Sequence, residues 1–94
     1  LTVLSGDLDQ DDLLDDGNTY HVVTGSGVDE YSILDGFTII GGNANGDNMQ
    51  YQNRGGGMFN HWDSDLTLAH ITFSANWADL GGGLFNDSSS PTLT

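Results

Sequence analysis

Six consecutive residues, Gly55-Gly56-Gly57-Met58-Phe59-Asn60, return twenty-six positions later as Gly81-Gly82-Gly83-Leu84-Phe85-Asn86. Recurrence at that spacing marks a chain built from one structural unit laid against the next, each burying the apolar face of its neighbour. A second pattern, Leu-x-x-apolar-x-apolar, occurs as Leu34, Phe37, Ile39 and again as Leu68, Ile71, Phe73, and Leu93 stands where a third copy opens. The opening Leu1-Thr2-Val3-Leu4-Ser5-Gly6-Asp7 matches Phe37-Thr38-Ile39-Ile40-Gly41-Gly42-Asn43 position for position, so the chain reads as beginning and ending inside a repeat.

Within each repeat the apolar runs are three to five residues long and are separated by Gly, Asn or Ser. Runs this short form narrow strands rather than helices. Fourteen glycines against one proline suit many tight turns. The expected fold is all-β: a parallel β-helix solenoid of about three to four coils of roughly 25 residues, uncapped at both ends. It forms a single module, 1–94, with partial coils at its ends. Stacked coils place Met58 over Leu84 and Phe59 over Phe85, and bring Asn60 over Asn86 as a side-chain amide ladder.

The formal charge of -13, with Arg54 opposing fourteen carboxylates, repels nucleic acid and anionic membrane surfaces. It favours neutral, cationic or metal-ion partners. With no cysteine there is no disulfide framework and no thiolate metal site. No apolar run approaches the roughly 20 residues that span a bilayer, so membrane insertion is not expected. The chain opens at Leu1 without a basic and apolar leader, as a processed or excised piece does.

Aligned repeats put the length variation at one corner, as an acidic insert, 7–18, and an amide-rich insert, 43–54, that should project side by side. The first holds Asp7, Asp9, Asp11 and Asp12 among its acids. Carboxylates spaced by two can converge on one hard cation, which makes these four the candidate calcium ligands. Asp12 and Asn18 stand where an EF-hand has Gly and Glu, so the site would be irregular. The competing reading is a solvated acidic loop that keeps the surface soluble.

The second insert carries Asn45, Asn48, Gln50, Tyr51 and Arg54, amides beside one ring and one guanidinium, a chemistry suited to hydroxyl-rich ligands such as carbohydrate. Trp62 and Trp77 either add stacking platforms or pack as covers. His21, His61 and His70 lack zinc-site spacing and read as strand or turn polar residues. Asn86-Asp87-Ser88 fits the N-glycosylation acceptor pattern.

The repeats resemble the right-handed parallel β-helix repeats of bacterial surface proteins, within the broad pectate-lyase-like group. The Gly-Gly-Gly-apolar-Phe-Asn units (Gly55, Gly56, Gly57, Phe59, Asn60; Gly81, Gly82, Gly83, Phe85, Asn86) and Phe73-Ser74-Ala75-Asn76 are similar to the paired GGA-apolar and FxxN motifs of chlamydial polymorphic outer-membrane proteins. That resemblance implies right-handedness, surface exposure and adhesion. The third motif position is Gly57 or Gly83 rather than Ala, and FxxN occurs once. The same fold also carries polysaccharide lyases and glycosidases, but the chain has no lysine and its one arginine lies in a loop. With no positioned base and no convincing catalytic constellation, an enzyme is not expected. The expected role is an extracellular or cell-surface structural or adhesive module. It would be either a segment of a large surface protein or a head-to-tail fibre subunit, self-associating by coil stacking or continuing into neighbouring repeats. A carbohydrate-binding or polysaccharide-degrading domain is the alternative.

Overall fold

A computed structural model describes residues 2–94; Leu1, part of the opening motif, lies outside the described residues. The strands are β1 (Thr2–Ser5), β2 (Val23–Ser26), β3 (Ile33–Asp35), β4 (Phe37–Ile40), β5 (Asn43–Ala44), β6 (Met58–His61), β7 (Thr67–Ala69), β8 (Thr72–Ser74), β9 (Trp77–Ala78), β10 (Leu84–Asp87) and β11 (Thr92–Leu93). All their pairings are parallel. They form three three-stranded sheets, β1-β4-β8, β2-β6-β10 and β3-β7-β11, with β5-β9 as a two-stranded fourth. The chain therefore visits the sheets in a fixed order and returns beside its own earlier strand. The three circuits are β1 to β3, β4 to β7 and β8 to β11.

Register turns sequence repeats into columns. Met58 pairs with Leu84, Phe59 with Phe85 and Asn60 with Asn86, as their shared motif predicts. Leu34, Leu68 and Leu93 align likewise. The opening motif does not keep the alignment read from residue similarity: Leu4, not Val3, lies beside Ile39, and Val3 is 45% exposed. A one-residue slip reverses every side chain of a strand, and the inward position facing Ile39 selects the larger Leu4. The circuits are also unequal. Val23 pairs with Met58 and Met58 with Leu84, steps of 35 and 26 residues, because the amide-rich insert falls within the first step and neither insert within the second.

The inward faces of the sheets meet in one core. Met58, Leu66 and Leu68 form its buried centre, with Val23, Val28, Leu34, Ile71, Phe73 and Leu84 packed around them. Ile39, Met58 and Leu68 are at most 2% exposed and all belong to the middle circuit. Only that circuit has a neighbour on each side. Leu93, in register with Leu68 but on an outer strand, remains 62% exposed, whereas Ile33, beside the inward Leu34, faces outward and is 67% exposed. The shortest dimension, 15 Å, accommodates three strands stacked about 4.8 Å apart.

Successive circuits repeat their bends as well as their strands. Gly27, Trp62 and Ser88 follow the ends of β2, β6 and β10, and all three adopt left-handed backbone, with φ of 61°, 57° and 51°. Gly36 and His70 match in the same way after β3 and β7, as do Gly41 and Ala75 after β4 and β8. Bends this sharp favour glycine, and a side chain there costs about 1–2 kcal/mol. Close approach imposes the other glycine requirement. A Cβ on Gly42 would fall 1.6 Å from the Gly56 carbonyl oxygen, so the backbone itself fills that space.

Candidate functional site

The acidic insert is closed at its base. Asp7 and Asn18 form an antiparallel bridge, and the buried Asn18 amide donates to the Gly41 carbonyl at 2.7 Å, tying the loop to the end of β4. Inside the loop the Asp12 N–H donates to Asp7 Oδ2 at 3.0 Å and the Leu13 N–H to Asp11 Oδ1 at 2.9 Å. Gln10 and Asp12 take left-handed backbone to make these turns. A Cβ at Gly17 would lie 2.0 Å from Asp9 Oδ2, so only glycine lets the Asp9 carboxylate fold over it.

The loop brings one carboxylate oxygen each from Asp7, Asp9 and Asp11 within 4.8 Å of one another, an arrangement that could hold an ion. Asp12 joins the site through its backbone N–H to Asp7 rather than as a member of that triad. Asp7 Oδ1 is buried without a hydrogen-bond partner. Loss of water, the Asp7 carboxyl, and the charges of Asp11 and Asp15 hold Asp9 above the ordinary carboxylate range. Asp11 is held below that range, chiefly by the Leu13 N–H. A cleft of about 190 Å³ lies beside the triad, lined by Asp7 and Asp12 together with Leu13, Leu14, Ile40 and Ala75.

The second insert lies against the first. Asn43 Nδ2 donates to the Asp15 carbonyl at 3.0 Å and Asn45 Nδ2 to Asp16 Oδ1 at 2.7 Å. A single 3-10 turn, Asn48–Gln50, is capped by Asp47, whose carboxylate accepts from the Met49 N–H. Asn45 therefore faces the acidic loop, and Gln50 accepts from Gln52. Tyr51 and Arg54 turn the other way. The Arg54 guanidinium lies 5.1 Å from the Tyr51 ring centre and 5.6 Å from that of Phe85. The amides and the Tyr51–Arg54 pair are thus divided between two surroundings.

Those two residues cover a feature that residue types alone did not disclose. Met58 and Asn60 point inward, so strand alternation turns Phe59 outward, yet Phe59 is only 3% exposed. Four rings enclose it: His21 at 5.1 Å, His61 at 5.0 Å, Tyr51 at 5.8 Å and Phe85 at 5.9 Å, all within 24° of parallel. His21 Nδ1 is also 3.0 Å from the Gly55 carbonyl oxygen. The four form one stacked cluster with Phe59 at its centre. The signal that could have found it is the odd-even parity of Met58-Phe59-Asn60 itself.

The inward neighbours behave as the motif predicts: Asn60 Nδ2 donates to Asn86 Oδ1 at 3.1 Å. Asn86 is exposed at the outer strand while engaged in this ladder. His70 stands apart from the other histidines, paired with Asp35 at 2.9 Å on the surface. Trp62 and Trp77 are 70% and 45% exposed rather than packed away. Among the described residues no helix is long and apolar enough to cross a membrane. No family model, no curated protein and no solved structure matches the chain.

Proposed function

We propose that the chain is a stretch of right-handed parallel β-helix acting as an extracellular structural or adhesive module. The supporting observation is the identical order in which the chain visits three parallel sheets, with Leu34-Leu68-Leu93 and Val23-Met58-Leu84 in register across the circuits. Handedness follows from sheet twist, since crossovers between parallel strands of one sheet are almost always right-handed. Such a body grows by adding circuits. Its outer strands, β1 to β3 on one side and β8, β10 and β11 on the other, present backbone groups that further repeats or a second copy would pair with.

Calcium is the ion we assign to the Asp7-Asp9-Asp11 triad, because an all-oxygen carboxylate set suits a hard divalent cation. Binding there would offset the loss of water and the neighbouring carboxylate charges that together raise Asp9, and would fasten the acidic loop to β1. Electron microscopy of the native protein tests the structural role. Filaments of constant diameter, or rods in which units 15 Å thick are stacked, accord with it, and dispersed, unstacked particles refute it.

A further inference from the structure

We propose that the corner following β2, β6 and β10 is a docking surface for a basic peptide segment of a partner protein, with Trp62 as its anchor. Trp62 is in left-handed backbone at the position that Gly27 fills one circuit earlier and Ser88 one circuit later. The fold asks for a small or flexible residue there. Instead the bulkiest side chain stands at the bend, 70% exposed, touching only the His61 ring at 4.4 Å among the aromatic contacts. Burial does not compensate the backbone cost, and strain retained without a packing gain points toward binding.

The surroundings specify the partner. Tyr31, 83% exposed, projects from the loop that follows Gly27, whose two ends accept hydrogen bonds from the Asp65 and Thr67 N–H groups. Asp63 directly follows Trp62, and its N–H donates to the Ser88 carbonyl. Asp29, Glu30, Asp63 and Asp65 are exposed on these adjoining segments, and Asp87 closes the neighbouring strand. None of the five has a basic side-chain partner among the described residues, where the only such contact is that of His70 Nδ1 with Asp35 Oδ1. Exposed aromatic residues on hydrogen-bonded segments that also carry exposed carboxylates fit guanidinium and ammonium groups on apolar stems. The ring takes the cation and stem, and the acids set the approach. The inference depends on this corner alone and not on where the chain operates.

Titration with a hexa-arginine peptide at physiological ionic strength is the test, with hexa-glutamate as control and Trp62 fluorescence read in a Trp77→Phe background. Saturable binding is expected. Trp62→Gly, which leaves net charge untouched and suits the bend, should weaken it about tenfold. Asp63→Asn and Glu30→Gln should each weaken it and flatten its salt dependence. Calorimetry follows the tryptophan-free variant, and a retained cooperative melt shows that it folds. Equal affinity for Trp62→Gly and the parent would mean diffuse attraction to an acidic protein and would overturn the proposal. Absence of binding at that ionic strength would overturn it too.

Discussion

Replacing Phe59 with alanine removes the ring around which four others are arranged, at a position 3% exposed although it faces away from the core. Truncating a buried phenylalanine costs about 3–5 kcal/mol. The walls of this site are partly movable, since Tyr51 comes from a loop and His21 precedes β2, so the site can partly collapse. A loss of about 3 kcal/mol results. Phe85, half-buried at an outer strand with one ring partner and Arg54, should cost about half as much on the same substitution. Urea denaturation reads the difference: with a slope of about 1.5 kcal/mol per molar, Phe59→Ala lowers the midpoint by about 2 M. A cycle with Tyr51→Ala should give a coupling of about 1 kcal/mol. Equal costs at Phe59 and Phe85, together with zero coupling to Tyr51, would refute the enclosed column.

Ala75→Gly relieves a left-handed bend that Gly41 already makes one circuit earlier, and thermal melts should show a gain of about 0.5 kcal/mol after the glycine's greater unfolded freedom is subtracted. Gly25→Ala places a Cβ 2.2 Å from Asn60 Oδ1, whose amide is fully buried and tied to Asn86, so chemical denaturation should reveal a loss of about 1–3 kcal/mol. The raised Asp9 contributes stability below its ordinary value of 3.8 and loses it as pH climbs through its folded value. The lowered Asp11 contributes above 3.8 and loses it as pH falls through its own. Asp9→Asn should therefore raise the metal-free melting temperature at neutral pH. In the parent protein calcium should raise that temperature and a chelator at matched ionic strength reverse the gain, while the variant's response is blunted. An unchanged parent melt with and without calcium would remove the metal assignment.

The Gly55 and Gly81 motifs were legible because stacking places like residues on like residues, so packing writes itself into the chain as identity. The first circuit escaped that logic. Val23-Thr24-Gly25-Ser26 aligns with Met58-Phe59-Asn60-His61 yet shares none of its residues. Gly25 must leave room for the Asn60 side chain rather than copy it. The slip at β1 has a related cause, since similarity between apolar residues does not say which of Val3 and Leu4 faces inward. At Trp62, His70 and Ala75 the backbone bends where no glycine announces it, and the bend becomes visible only through the register with Gly27, Gly36 and Gly41. The acidic insert announced its charge, but which carboxylates converge depends on turns at Gln10 and Asp12 that the pattern of acids does not encode.

The central claim is that β6 is held in parallel register between β2 and β10. Nuclear Overhauser contacts from the Met58 backbone, measured on isotope-labelled protein, test it most directly. Parallel-type contacts from Met58 to the backbones of both Val23 and Leu84 are predicted, with protected amides along β6. Antiparallel contacts, or pairing of β6 with the strand that follows it in sequence, would contradict the account.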